Sequence, residues 1–463
     1  MQNDPRQDTD LRPASKTARR AFIAGMLGTV VEVYDFSVYA FLVVYTAPLF
    51  FPSVAPAVAV LSSLAVFAAG FVARPLGGLF FGRMGDRLGR RHTLLLTIVL
   101  MGSATFLLGA IPTYATVGLW APALLVLARV AQGFCAGGEV AGAATYVAES
   151  ATPGKRGRFA SATAVGATLG TAVAPAVVGL CTVLLGTQQM AEWGWRIPFL
   201  VSLPVTIGCL LYRLRVEDSP EFLALVRNRE IATAPVKEAL RGHWRAIVST
   251  ALLALSVFFL GYTFNAYLPI YLTTIVGMAP TTVSWLAAVT IAMCVPAVLV
   301  SGVLVDRFGG KIVLTTSMVA AAALIYPTLA AMENIGSSLL LIGVLWWLVL
   351  LAPNIAAPPA YEAFAAYYPA RIRYTGAAIG FNTGNVLGGG FGPYISANFV
   401  SWTGTPRSPA ILVAVAALIG IAVIHLAPRW IGHKSPSGFR PFASDADRLA
   451  MANANALILE EEK

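Results

Sequence analysis

Apolar runs of around 20 residues recur along the whole chain, and a helix of that length crosses a bilayer. They fall at about 21–45, 57–81, 93–112, 121–145, 159–185 and 194–212, and again at 246–273, 281–303, 311–331, 337–367, 375–401 and 409–428. Within lipid every backbone amide must bond inside its own segment, so these runs are expected to be helices; barrel strands would be shorter and would alternate in polarity. Composition agrees. Of 463 residues 57% are hydrophobic and 12% charged, too little polar surface to cover a soluble core. The first 20 residues are polar and no small-residue cleavage site follows the first apolar run, so no removed signal peptide is expected. Cys135, Cys181, Cys209 and Cys294 all lie in apolar spans and form no disulfide or metal pattern.

The formal net charge of +10 would suit a nucleic-acid partner, but its distribution argues against one. With the loops assigned alternately from a cytoplasmic N-terminus, the inner side collects 28 of the 32 Lys and Arg residues. The outer loops hold Arg196 and Arg407, and Arg74 and Arg129 fall inside spans. This is the positive-inside asymmetry, and it puts both termini in the cytoplasm. The basic loops then face anionic lipid.

Residues 213–245 form the longest internal polar stretch and divide the spans six and six. The expected organisation is a cytoplasmic tail at 1–20, a six-helix bundle at 21–212, a cytoplasmic linker at 213–245, a second bundle at 246–428 and a cytoplasmic tail at 429–463, where Asp445 to Glu462 suits an amphipathic helix. The two halves repeat. Gly82-Arg-Met-Gly-Asp86-Arg87-Leu-Gly89-Arg90-Arg91 joins spans 2 and 3, and Gly302-Val-Leu-Val-Asp306-Arg307-Phe-Gly309-Gly310-Lys311 joins spans 8 and 9, at an offset of 220 residues. A Pro-plus-basic turn recurs at Pro153 to Arg156 and Pro369 to Arg373. Duplicated halves around a central substrate site are a transporter solution to alternating access.

The Gly82–Arg91 segment resembles the signature loop of the major facilitator superfamily. Further marks are Glu32-x-x-Asp35-Phe36, Arg74-Pro75-x-Gly77-Gly78, Arg129-x-x-Gln132-Gly133-x-x-x-Gly137-Gly138-Glu139, Glu149-Ser150, Arg156-Gly157-Arg158, Trp193-Gly194-Trp195-Arg196-Ile-Pro198-Phe199, Ser219-Pro220-Glu221-Phe222 and Arg373-Tyr374-Thr-Gly376. Together, over about residues 21–430, these resemble the metabolite:proton symporter family. The chain departs from that pattern at Val33, where the family usually has Trp, and at Ala366, where it usually has an acidic residue. The resemblance implies an all-α membrane protein, twelve transmembrane helices in two six-helix bundles related by a pseudo-twofold axis. It also implies proton-coupled import of small organic acids or zwitterions such as 2-oxoglutarate, citrate, shikimate, proline or betaine.

Ionisable groups inside a membrane are costly and functional by default. Depth counted along the helices puts Asp35 and Arg129 in the outer half at similar height, with Glu32 on the same helix face as Asp35 and nearer the midplane. Asp35 is the expected proton carrier, with Arg129 switching its proton affinity and Glu32 next in line; the competing reading is a permanent structural ion pair between spans 1 and 4. Arg74 is the candidate for a substrate carboxylate, because a guanidinium binds one bidentately; pairing with Glu32 competes with that role. Glu139 lies near the cytoplasmic end. It is assigned with Gly82, Asp86, Arg87, Gly89, Arg90, Arg91, Asp306 and Arg307 to a conformational latch.

In the second half Tyr262, Asn265 and Asn382 are the candidates to line the cavity, beside prolines 353, 358 and 359 and the buried-charge candidate Glu362. No P-loop, metal spacing or catalytic cluster is present, so no enzyme, cofactor or metal is expected. The main expectation is proton-driven import of a small organic anion by a monomer, its partners being the substrate, protons and lipid. The runner-up is a zwitterion or quaternary amine, which aromatic rings can cage. An exporter is a third reading, on Gly166, Gly170, Pro175 and Gly179 in span 5. A transporter-like receptor or membrane enzyme would need a signalling tail or catalytic cluster.

Overall fold

The computed structural model describes residues 14–52, 54–151, 155–334 and 338–431. The Pro153 turn, the Asp445–Glu462 segment and most of the two tails lie outside them. Among the described residues eleven helices are long and apolar enough to cross a membrane: α1 (Arg19–Phe50), α2 (Val58–Leu88), α3 (Arg90–Ala110), α4 (Trp120–Glu149), α5 (Arg156–Glu192), α6 (Gly194–Arg213), α7 (Trp244–Thr274), α8 (Pro280–Phe308), α9 (Gly310–Glu333), α10 (Leu339–Ala366) and α12 (Pro409–Ala427). The expected span at 375–401 is helical too but polar and interrupted. This α11 runs through Arg373–Asn385, a π-helical turn at Val386–Gly390, and Gly392–Thr403.

The low apolarity of α11 has a packing cause. A Cβ on Gly384 would lie 2.1 Å from the Ala251 carbonyl oxygen, and one on Gly388 2.2 Å from that of Leu255. The glycine face therefore lets the backbone of α11 rest directly on α7, as small residues do between membrane helices. A second close crossing joins α2 and α4, where a Cβ on Gly133 would fall 1.6 Å from the Gly70 carbonyl oxygen. That crossing holds Arg74 of α2 and Arg129 of α4 on neighbouring helices.

The two signature segments are mostly helix rather than loop. Arg74–Leu88 and Val295–Phe308 run through them, and each ends at a glycine with positive φ, Gly89 at 106° and Gly309 at 84°. A single residue thus turns the chain into the next helix, in a conformation that glycine adopts without steric cost. Residues 81–90 and 301–310 follow the same order of buried and exposed positions. The stretch between the halves carries two short helices, Pro220–Arg227 and Pro235–Gly242.

Candidate functional site: a central cavity and its polar closure

A cavity lies between the halves. Its wall includes Glu32 and Arg74 from one side and Tyr262, Asn265, Asn354 and Asn385 from the other, with Phe41, Phe67, Phe258, Tyr361, Phe364 and Phe381 supplying aromatic surface. Arg74 Nη1 lies 3.5 Å from Glu32 Oε1, both residues being buried. The contact is loose. Neither Glu32 oxygen nor Arg74 Nε makes a hydrogen bond. The guanidinium instead lies against aromatic rings, 3.9 Å from the Phe36 centroid and 4.4 Å from that of Phe71, a geometry in which cations are attracted to the ring face.

Three of the four residues expected at the substrate, Arg74, Tyr262 and Asn265, line this cavity. Asn382 does not. Its amide donates to the Gly137 carbonyl across the two halves at 2.6 Å and to Ala378 O at 2.8 Å, so it braces α11 against α4. Asn385, one helical turn on, reaches the cavity instead. Thr168 Oγ1 donates to Asn354 Oδ1 at 2.7 Å and bridges α5 to α10 across the wall.

Asp35 and Arg129 form no direct ion pair in this conformation. Thr105 Oγ1 donates to Asp35 Oδ2 at 2.8 Å. Gln132 Nε2 donates to Thr105 Oγ1 at 2.7 Å and to the Asp35 carbonyl at 3.2 Å, while Gln132 Oε1 accepts from Arg129 Nη1. The Arg129 guanidinium sits in an aromatic cage, 4.1 Å from the Tyr39 ring centre, 5.1 Å from Phe36 and 5.4 Å from Phe67. Equal depth put the two charges at one height, but another pair of side chains stands between them.

The side of the cavity facing the linker is closed by a polar network. Asp86 accepts from the backbone N–H groups of Tyr374 (3.3 Å) and Thr375 (2.9 Å), the first turn of α11. Asp306 mirrors it at the first turn of α5, accepting from Gly157 (2.8 Å) and Arg158 (3.3 Å). Each carboxylate thus caps a helix of the opposite half, where unpaired N–H groups and the helix dipole favour negative charge. Arg90 reaches Glu149 through two bonds, Nε to Oε2 at 3.1 Å and Nη2 to Oε1 at 3.0 Å, and donates to the Ala370 carbonyl at 2.9 Å. Arg373 joins both Glu149 (3.4 Å) and Glu221.

Glu139 stands apart from this network, contrary to its assignment to the latch. It pairs with Arg213 at 2.5 Å and accepts from Thr97 Oγ1 at 2.6 Å, tying α4 to α6 and α3 within one half. The carboxylate beside Arg90 is Glu149, present in the sequence as part of a motif but given no role there. Arg91 donates to the Leu214 carbonyl at 2.9 Å, Arg87 and Arg307 are exposed, and Gly82 lets α2 approach Thr375. In the linker, Asp218 accepts from the Arg90 amide at 3.0 Å, and burial raises its carboxyl above the usual range.

The opposite side of the cavity is closed differently. Tyr262 packs against Phe67 and Phe71 with ring centroids 6.2 and 5.4 Å apart, and Gly390 admits the Phe71 side chain against α11.

Comparison with known proteins supplies the context. Residues 21–248 match the family model described as Sugar (and other) transporter, and residues 250–451 match that of the Major Facilitator Superfamily. The chain is 35% identical to the Proline/betaine transporter of Salmonella typhimurium, over 92% of this chain and 86% of that protein. It is 35% identical to the Shikimate transporter of Escherichia coli (87% and 92% covered) and 32% identical to the Citrate-proton symporter of Klebsiella pneumoniae (85% and 88%). Among solved structures it superposes on the proton:xylose symporter XylE with a TM-score of 0.73 and 17% identity, covering 90% of this chain and 96% of that one, a likeness of fold.

Proposed function

The chain belongs to the major facilitator superfamily, within its metabolite:proton symporters, and we propose on that premise that it imports a small zwitterion of the proline or betaine kind together with protons. The observation that carries this reading is the Glu32–Arg74 pair on the cavity wall. A zwitterion offers a carboxylate to Arg74 and a cation to Glu32, so it takes the place of one weak contact with two complementary ones. A quaternary ammonium also suits the surrounding rings, whose faces attract cations. A polyanion is served less well, because Arg74 is the one cationic side chain on that wall among the described residues and Glu32 already faces it. The relatives that move proline and betaine point the same way.

The reading further assigns Asp35 the proton, both termini to the cytoplasm, and the chain to a bacterial inner membrane. Alternation consists of breaking the Asp86 and Asp306 caps and closing the aromatic outer side. The test is competition in proteoliposomes with an imposed pH gradient. Labelled proline or glycine betaine should be taken up and displaced by one another, and not by citrate or shikimate. Uptake of citrate or shikimate, with proline and betaine inert, overturns the zwitterion reading in favour of the organic anion expected first.

A further inference from the structure

Thr105 and Gln132 are buried completely, lie off the wall of the central cavity, and stand between the expected proton carrier and the caged arginine. Their hydrogen bonds run in one direction. Arg129 donates to Gln132, Gln132 to Thr105, and Thr105 to Asp35. The order is forced. An arginine donates only, so the Gln132 carbonyl must face Arg129 and its amide must face Thr105. With its oxygen already accepting from Gln132, the Thr105 hydroxyl has one hydrogen and two acceptors in reach, Asp35 Oδ2 at 2.8 Å and the Met101 carbonyl at 3.1 Å.

Which acceptor holds that hydrogen depends on the charge of Asp35. A hydrogen bond to a carboxylate is roughly twice as strong as one between neutral groups, so the charged form holds it. Protonation on either oxygen removes that advantage. The hydroxyl then turns to Met101, the chain from Arg129 loses its charged end point, and the guanidinium is held by Gln132 and the rings alone. We propose that Thr105 and Gln132 are positioning residues that carry the protonation state of Asp35 to Arg129, and thereby set the pH range over which import is driven.

This rests on the assignment of the proton to Asp35. The ionisable groups facing Asp35 are Glu32 and Tyr34 of its own helix and Arg129 of α4, with Ser202 of α6 also beside it; none is altered by changing Thr105.

The test compares pH-driven uptake and counterflow of labelled proline or betaine, whichever the protein accepts, for Thr105→Val, Thr105→Ser, Gln132→Leu and Asp35→Asn in proteoliposomes. Thr105→Val removes the hydrogen bond to the charged carboxylate. Its pH midpoint for driven uptake should move upward by about one unit, with counterflow kept, since hydrogen bonds to charged groups are of that order. Thr105→Ser should restore the native profile. Gln132→Leu should lower accumulation about tenfold while exchange continues, by cutting Arg129 off. Where Thr105→Val fails to insert, Thr105→Ala gives the same reading. Native pH profiles in the Thr105 and Gln132 variants, with Asp35→Asn uncoupled, overturn the relay and leave Asp35 as carrier. Accumulation by Asp35→Asn instead removes the carrier and the relay together.

Discussion

The first six helices and the last six keep the same frame at their linker-side ends and differ in the middle of the membrane. In the first six, Glu32, Asp35, Arg74 and Arg129 are all buried there. In the last six, the buried charges Asp306, Glu362 and Arg373 lie at helix ends on the side of the linker. Their special features are conformational: π-helical turns at Thr263–Tyr267 and Val386–Gly390, and three prolines inside α10. Pro269 and Pro393 follow those turns closely, and a missing amide favours such irregular backbone. The duplicated frame has thus been put to two uses. One half carries charge, and the other carries polar amides, aromatic rings and helices able to bend around a ligand.

The largest expected effect strikes the charged half. Arg74→Ala leaves Glu32 buried without its cation, and breaking a buried pair costs about 3–5 kcal/mol. Transport should be lost and folded protein in detergent much reduced. Arg74→Lys keeps the charge but not the planar fork, and should weaken substrate binding about tenfold. Unchanged affinity would free Arg74 from the substrate and leave it a structural partner of Glu32.

The next prediction sets the two signature aspartates against each other. Both cap a helix of the opposite half, but Asp86 also lies 3.3 Å from buried Arg90, whereas the cation beside Asp306 is half-exposed Arg158. Asp86→Asn should therefore slow uptake about tenfold and Asp306→Asn only about threefold, corresponding to roughly 1.4 and 0.7 kcal/mol. Equal losses would mean that the caps alone close the linker side.

A smaller effect separates the two asparagines of α11. Asn385→Ala should weaken substrate binding. Asn382→Ala should leave affinity unchanged and alter only the transport rate, by about the worth of one hydrogen bond, 1 kcal/mol. Titration calorimetry on the purified variants distinguishes the two.

These contrasts also mark how far one sequence could be read. The helices were legible because lipid demands long apolar runs, and the duplication because a tight turn between helices needs Asp and Gly at fixed places. Counting put Arg74 near the midplane, and polarity within an apolar span singled out Tyr262 and Asn265; all three line the cavity. Counting gives height and not the neighbour a side chain turns towards. Glu139 was therefore matched to the wrong basic group, Asn382 was sent to the cavity instead of the interface, and Gln132 between Asp35 and Arg129 went unseen. Glu149, Gln132 and Arg373 all stood inside recognisable motifs, which was the available signal. The polar α11 shows the converse: where glycines pack backbone on backbone, hydropathy understates a membrane helix.

The central claim is that the first six helices hold the proton. It is tested most directly by reconstituting Asp35→Asn and measuring counterflow and pH-driven uptake in the same vesicles. The substitution imitates a permanently protonated Asp35. Exchange needs no net proton movement, so counterflow should proceed near the native rate while accumulation against a gradient disappears. Intact pH-driven accumulation by Asp35→Asn would contradict the account and move the proton to Glu32.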